Sequence, residues 1–199
     1  MRITGGQAAR RILRVPKGMD VRPTPDRVKQ AVFNSLGARI LDARVLELFA
    51  GSGALSLESL SRGCKSATCI EKSPRHAEFI RRNAEAAGFG AAAFHARVQD
   101  VFPALQQIAA TGERFDIIMA DPPYGEKNVG RRSTSLAQKL IDDPNLPSVL
   151  APDGLLILGH ARRDTLEIPA PWRELKVMTH GDNVMRFLEL QAVTRGTQP

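Results

Sequence analysis

The chain has 199 residues, of which 43% are hydrophobic, and a formal net charge of +7. That is enough for one substantial globular domain with a modest appendage. No run approaches the ~18 apolar residues of a membrane span, and the N-terminus lacks the apolar core of a signal peptide, so we expect a soluble cytoplasmic protein. The two cysteines and four histidines lack the spacing of a disulfide framework or a metal site, and we expect no metal.

The positive charge is concentrated near the N-terminus. Residues 1–33 carry eight lysines and arginines against two aspartates, a net charge of +6. Two interpretations are open: a solvated basic tail, or a surface that contacts phosphates. Clustered lysines and arginines gain affinity for a polyanion by releasing its counterions. The motifs that follow favour the phosphate-contacting surface.

The first predicted elements are an arm and a helix. A glycine pair and a short alternating segment predict a small hairpin or extended arm over residues 1–17. The stretch RPTPDRVKQAVFNSLG (22–37) predicts a helix with apolar residues four positions apart. In this helix Thr24 would be the N-cap, Pro25 would take the first helical position and Gly37 would end it.

After the first helix, strands and helices alternate. Continuous apolar strands between helices indicate a doubly wound, mostly parallel sheet covered on both faces, and a C-terminal hairpin brings the strands to seven with an antiparallel strand at one edge. The predicted domains are a basic N-terminal arm and helix, a main domain and a tail, at 1–37, 38–193 and 194–199. The predicted strands are 43–50, 66–71, 91–98, 115–121 and 154–160, the helices 53–63, 74–87, 101–111 and 135–142, and the hairpin 174–181 with 184–192.

The first strand ends in a glycine loop, ELFAGSGALS. Ligands of open α/β sheets bind beyond the carboxyl ends of the strands, and Gly51 and Gly53 permit a tight turn that a ligand can approach closely. The dinucleotide fingerprint requires a third glycine where Ser56 stands, which weakens a dinucleotide interpretation. A plain strand–helix turn remains the alternative.

Carboxylates at the next strand ends strengthen the ligand interpretation. Glu71 ends the second strand, 24 residues after Glu47, where an acidic residue can accept both ribose hydroxyls. Asp100 follows the third strand, where a carboxylate can accept an adenine amino group. The indicated ligand is a nucleoside without a pyrophosphate, which matches S-adenosylmethionine better than NAD.

The stretch IIMADPPYGEKN (117–128) begins as a buried strand and breaks at two prolines, which cannot continue a sheet ladder. The Asp121 carboxylate and the Pro122 carbonyl could accept both protons of an exocyclic amino group and direct its lone pair at a sulfonium methyl group. Tyr124 could stack on a base that has left its helix or loop. A cytosine-C5 mechanism would need a nearby cysteine, which the motif lacks. An ordinary strand-ending turn is the structural alternative.

Together these motifs resemble a known family. ELFAGSGALSLESLSRG, CIEKS, VQD and DPPY are similar to motifs of class I S-adenosylmethionine-dependent methyltransferases. More narrowly, GGQAARRILRVPKG and RPTPDRVKQAVFNSLG resemble the RsmD-type 16S ribosomal RNA guanine-N2 methyltransferases, over about residues 3–192. After the fifth strand that family commonly has a glutamate where this sequence reads LGHA (158–161).

The resemblance implies a Rossmann-like fold, S-adenosylmethionine as cofactor and 16S ribosomal RNA as partner, naked or in a small-subunit particle, for a monomeric enzyme. The alternatives are an adenine-N6 methyltransferase on DNA or RNA and a nucleic-acid-binding module on a degenerate fold. The catalytic candidates are Asp121, Pro122, Pro123 and Tyr124; the cofactor candidates are Glu47, Phe49, Gly51, Gly53, Glu71, Lys72, Gln99 and Asp100; the RNA-binding candidates are Arg10, Arg11, Arg14, Arg22, Arg27, Arg131 and Arg132.

Overall fold

The computed structural model describes residues 1–15, 24–124, 127–128 and 131–191. Within them no helix has both the length and the apolar character needed to cross a membrane. The strands are β1 Arg44–Leu48, β2 Ser66–Glu71, β3 Phe94–Val98, β4 Phe115–Ala120, β5 Leu150–Ala161, β6 Trp172–His180 and β7 Asn183–Leu190. The helices are α1 Asp26–Leu36, α2 Ala54–Ser61, α3 Pro74–Ala86, α4 Val101–Thr111, α5 Leu136–Ile141 and α6 Leu146–Val149, with a 3₁₀ turn at Gly37–Ile40.

All seven strands form one sheet in the order β3-β2-β1-β4-β5-β7-β6. The first five strands are parallel, and β7 runs antiparallel to both β5 and β6. The predicted α/β fold class is therefore confirmed. The strand order reverses at β1, so the crevice at the carboxyl ends of β1 and β4 is the topological switch point where such sheets bind ligands.

The central strands are buried on both faces, as their continuous apolar runs predict. Side chains alternate along a strand. In β1, Val45 joins the core beneath α1, α2 and α3, whereas Leu46 and Leu48 join the core beneath α4, α5 and α6. This alternation also fixes the face on which the buried polar residue of β1, Glu47, must lie.

The N-terminal arm is a small hairpin that packs on α2. Arg2 pairs with Ile12 in an antiparallel bridge, and the amide of Ile3 donates to the carbonyl of Arg11 at 2.9 Å. Gly6 approaches α2 so closely that a β-carbon there would lie 1.8 Å from the carbonyl oxygen of Ser61. Only glycine fits at this contact.

A buried ion network joins the arm, α1 and α2. Lys29 is completely buried, and its ammonium lies 3.3 Å from a carboxylate oxygen of Asp26 and 3.8 Å from one of Glu58. Glu58 also accepts the amide and the hydroxyl of Thr4, each at 2.7 Å, and the Nε–H of Arg62 at 2.8 Å. Lys29 therefore belongs to the interior, and it reduces the basic charge that the N-terminal region can offer to a partner.

The start of α1 differs from its prediction. The helix begins at Asp26, Pro25 occupies the cap position, and no side chain caps it. The prediction that Thr24 is the N-cap is wrong, because the helix begins one residue later than predicted and Thr24 lies before the cap position. Its Oγ1 donates to Oδ2 of Asp121 at 2.6 Å, across 97 residues of sequence.

Candidate active site

A cavity of about 700 Å³ opens at the carboxyl ends of β1 to β4, at the switch point of the sheet. Its volume lies within the usual range for a small-molecule or cofactor site. The cavity brings together nine of the residues that the sequence singled out: Phe49, Gly51, Glu71, Lys72, Asp100, Asp121, Pro122, Pro123 and Tyr124. The sequence did not identify the other lining residues, Ile70, Ser73, His76, Val101, Phe102, Leu136 and Arg163.

The glycine loop after β1 forms one wall. Phe49, Gly51 and Gly53 all have positive φ, at 56°, 54° and 69°, so the chain makes a tight turn with repeated left-handed residues. A phenylalanine in this conformation is strained, and such strain is concentrated at functional sites. The Phe49 ring contacts the Phe102 ring edge-on with centroids 6.3 Å apart, which gives the cavity an aromatic surface.

The Glu71 carboxylate is fixed by backbone amides. The amide of Gly51 donates to one oxygen at 2.7 Å, and the amide of Ser73 donates to the other at 2.8 Å. Nδ1 of His76 lies 3.4 Å from the same carboxylate. The side chain is 9% exposed and lines the cavity, so a rigid acceptor faces the ligand space while the glycine loop is tied to β2.

The other predicted cofactor residues lie at different depths. Asp100 is exposed at the rim, where its carboxylate accepts the amide of Phe102 at 3.2 Å and caps α4. Lys72 is exposed beside it on the cavity wall. Gln99 and Gly53 lie behind the wall: the amide of Gln99 donates to the Glu71 carbonyl at 3.1 Å, and Gly53 packs against Ile80.

Glu47 lies beneath the cavity and does not line it. Its two carboxylate oxygens accept the amides of Leu55 and Ser56, at 3.2 and 2.9 Å, at the N-terminus of α2. Burial raises the pKa of Glu47 to about 7, although the hydrogen bonds from Ser56 and Leu55 oppose this shift. The structure therefore gives this carboxyl a role in holding α2 against β1.

Asp121 stands at the end of β4 with two inequivalent oxygens. Oδ2 accepts the Thr24 hydroxyl, and Oδ1 is buried without a hydrogen-bond donor among the described residues. A β-carbon at Gly159 of β5 would lie 2.5 Å from Oδ1, so only glycine leaves room for the carboxylate in this position. Burial raises the pKa of Asp121, and the Thr24 hydrogen bond opposes that rise.

The rest of the motif follows the strand out of the sheet. Pro122 is buried, Pro123 is exposed and Tyr124 is half-buried, all on the cavity wall. The Tyr124 hydroxyl donates to Oδ1 of Asn183 at the start of β7, and Nδ2 of Asn183 donates to the carbonyl of His180 at 3.3 Å. The β6–β7 hairpin thus supports the ring from behind.

The arm and α3 enclose a second, basic cavity of about 580 Å³. Arg10, Arg11 and Arg14 line it together with Arg82 and Phe79 of α3. The arm is held in place there by Asn83, whose side chain accepts the amide of Arg14 at 2.9 Å and donates to its carbonyl at 2.8 Å. This arrangement places three predicted RNA-binding arginines on one surface.

The remaining predicted RNA-binding arginines are dispersed. Arg27 on α1 and Arg131 are exposed, and Arg22 lies outside the described residues. Arg132 forms ion pairs with Asp142 and Glu167, each at 2.8 Å. Two carboxylates already neutralise this guanidinium, so it is the least suited of the set to contact a phosphate.

The chain matches known proteins along nearly its whole length. A family model described as Conserved hypothetical protein 95 matches residues 1–189. Ribosomal RNA small subunit methyltransferase D of Haemophilus influenzae is 30% identical over 181 residues, which cover 91% of this chain and 89% of that protein. A hypothetical protein of Thermus thermophilus is 29% identical, with a TM-score of 0.75 over 96% of this chain and 99% of that one. An RNA methyltransferase of Salinibacter ruber, solved with S-adenosyl-L-homocysteine, is 18% identical, with a TM-score of 0.63 over 85% and 94% of the two chains, and shows the same fold.

Proposed function

This chain belongs to the Conserved hypothetical protein 95 family, and we propose that it transfers a methyl group from S-adenosylmethionine to the exocyclic N2 amino group of a guanine in 16S ribosomal RNA. The resemblance to RsmD-type methyltransferases that the sequence motifs carry is confirmed by the family and by the relative named as a small-subunit ribosomal RNA methyltransferase. The reaction class is S-adenosylmethionine-dependent methylation of ribosomal RNA. One observation carries the proposal: Asp-Pro-Pro-Tyr lines the same cavity as the glycine loop and Glu71.

The cavity residues fit an S-adenosyl ligand. Glu71 offers a fixed carboxylate for the ribose hydroxyls, and Asp100 offers one at the rim for the adenine amino group. Ile70, Phe49 and Phe102 supply apolar surface for the purine. When bound, S-adenosylmethionine supplies an electrophilic methyl group on a sulfonium centre.

The residues at the end of β4 activate the amine. An exocyclic amino group is a poor nucleophile because its lone pair is delocalised into the ring. The unpaired Oδ1 of Asp121 and the Pro122 carbonyl are acceptors for its two protons, and accepting both of them pyramidalises the nitrogen. The prolines hold the carbonyl in position before the reaction, which is preorganisation toward the transition state.

The ionisation state of Asp121 matters to this step. Only the carboxylate is purely an acceptor, and burial raises the pKa of Asp121 above its ordinary value of 3.8. Below that pKa the carboxyl carries a proton and loses acceptor capacity. The rate of methyl transfer should therefore fall on the acid side with the titration of this group, and Asp121 or water can take the proton that the methylated amine loses.

The substrate surface combines stacking and charge. Tyr124 offers a face to a base that has left its helix or loop, a contact worth about 1–3 kcal/mol. Arg10, Arg11 and Arg14 offer guanidinium groups to the phosphate backbone. We propose that Arg27 and Arg131, which are exposed elsewhere on the protein, add further phosphate contacts.

The product identifies the base. The purified protein is incubated with labelled S-adenosylmethionine and 16S ribosomal RNA from cells that lack this gene, and the RNA is then digested to nucleosides. The expected product is N2-methylguanosine. Label in N6-methyladenosine would replace the guanine assignment with the adenine alternative, and absence of both transfer and cofactor binding would leave a nucleic-acid-binding module. Assaying naked RNA and assembled small subunits in parallel tests which form is the substrate.

We further propose that the protein acts as a monomer in the cytoplasm, where its ribosomal RNA substrate is found. A single chain carries both the cavity and the basic surface, so neither site needs a second copy to be complete. Sedimentation of the purified protein tests the monomer, and an obligate dimer would contradict it.

A further inference from the structure

Thr24 does not line the cavity, but its side chain contacts Asp121, which does. Thr24 precedes α1 in the N-terminal region, whereas Asp121 ends β4 in the centre of the sheet. Their side chains form a hydrogen bond of 2.6 Å between Oγ1 and Oδ2. The sequence predicts that this threonine caps the helix, and the structure directs its hydroxyl to the carboxylate instead.

We propose that Thr24 is a positioning residue for methyl transfer, whose hydroxyl fixes the Asp121 carboxylate so that Oδ1 remains available to accept the amino N–H of the target base. This inference rests on the proposed function. One hydrogen bond and the space left by a glycine define the orientation of the carboxylate. Oδ2 is bound by Thr24, and Oδ1 lies where a β-carbon at residue 159 would approach within 2.5 Å.

The asymmetry of the two oxygens supports this role. A buried acceptor without a donor is rare in folded proteins and calls for an explanation. Oδ1 of Asp121 is such an atom among the described residues, and an amino N–H brought by the substrate would satisfy it. Without the Thr24 hydroxyl the carboxylate would have no donor on either oxygen within the described part of the chain. It could then rotate about its Cβ–Cγ bond or take up a proton.

The same contact favours the ionised, acceptor form of Asp121. Burial raises the pKa of this carboxyl, and the hydrogen bond from Thr24 lowers it. Removing the hydroxyl should therefore move the acid limb of the rate profile to higher pH. The other titratable groups near Asp121 are identical in every variant. Those that line the cavity are Glu71, Lys72, His76, Asp100, Tyr124 and Arg163. On the neighbouring strands, His160 of β5 accepts a hydrogen bond from Arg186 of β7.

The experiment compares Thr24→Val with Thr24→Ser in single-turnover methylation of 16S ribosomal RNA at saturating cofactor, in steps of about one pH unit from roughly pH 5.5 to 9. Valine keeps the shape and removes the donor. We expect a loss of about 10- to 100-fold at pH 7, the scale of a hydrogen bond to a charged group. The loss should shrink as the pH rises, and serine should restore most of the rate. Thr179→Val, on the exposed face of β6, is the matched control and should behave as wild type.

Cofactor affinity measured by calorimetry separates positioning from folding. Thr24→Val should bind S-adenosylmethionine as wild type does, because the adenosine contacts lie on β1, β2 and α4. A valine variant with the wild-type rate at every pH would overturn the role of Thr24. A loss that serine does not restore would overturn it as well, and a loss that is equal at every pH would assign the effect to positioning alone. Failure of the proposed function is a different result, in which wild type itself transfers no methyl group to RNA.

Discussion

The pH dependence of stability tests whether Glu47 is a buried carboxyl that holds α2 in place without lining the cavity. The side chain is 3% exposed, and burial raises its pKa from 4.5 to about 7. Because the folded-state pKa is the higher one, folding favours the protonated form. The resulting stabilisation is complete below pH 4.5 and is lost as the pH rises through 7. The loss between pH 5 and pH 8 is about 2–3 kcal/mol. Glu47→Gln is neutral throughout, so its stability relative to wild type should rise by that amount.

Urea unfolding at pH 5 and pH 8 measures the difference, with linear extrapolation to water. At pH 5 the glutamine variant should be the less stable protein, because its amide nitrogen leaves Leu55 or Ser56 without an acceptor at a cost of about 1–3 kcal/mol. Glu85→Gln on the exposed face of α3 is the control and should change stability by less than about 0.5 kcal/mol at either pH. If the Glu47→Gln difference were the same at both pH values, the carboxyl would not be buried in the way described.

Three further predictions concern the proposed reaction. Glu71→Ala should weaken S-adenosylmethionine binding by roughly 1.5–3 kcal/mol in calorimetry, the scale of charged hydrogen bonds, and unchanged affinity would remove Glu71 from the site. Asp121→Asn should bind cofactor near normally but transfer methyl groups about 10²- to 10³-fold more slowly in single-turnover assays; a near wild-type rate would mean that the amine is activated differently. Replacing Arg10, Arg11 and Arg14 by alanine should weaken RNA binding and flatten its salt dependence in filter-binding titrations with cofactor affinity intact, whereas an unaltered slope would make the arm a solvated tail.

The fold was predictable because its signals are local. Each central strand is a short apolar run, and each following helix has a recognisable start or end. Ser73 caps α3 with Pro74 in its first turn, and Gly112 ends α4 in a left-handed conformation. The short helix α6 and the early start of β5 at Leu150 were not predicted. Leu146 and Leu150 are buried in one core with residues of α4 and β4, and that burial has no local periodic signal.

The sequence predicts that functional side chains gather at the ends of the parallel strands. It does not predict the position of every individual side chain there. Parallel strands bring Glu71, Asp100 and Asp121 to one edge of the sheet, which the alternation of strands and helices is enough to predict. Glu47 belongs to β1 as well, but it alternates with Leu46 and Leu48 and therefore points beneath α2. Glu47 binds the first amides of α2 and does not reach the cavity, and this arrangement depends on where that helix begins.

Charged residues were the hardest to place because their partners are remote in sequence. Lys29 and Arg132 look equivalent to their neighbours in the sequence, yet Lys29 is buried against Glu58 and Arg132 is paired with Glu167. The partners Glu58 and Glu167 lie 29 and 35 positions away in sequence, so local sequence does not reveal them. Counting charges in the N-terminal region therefore overestimates what it can offer to RNA.

The contacts of the N-terminal region argue that it is part of the catalytic machinery. Ile3 and Leu13 of the arm share one core with Val32 of α1 and Leu57 of α2, so the arm packs into the body of the protein. At the far end of the region, Thr24 holds the Asp121 carboxylate. The arm, for which we propose RNA contacts, and the Thr24 segment, for which we propose the positioning of Asp121, thus belong to one packed unit. Removal of the region should abolish methyl transfer even for a substrate that needs no help in binding.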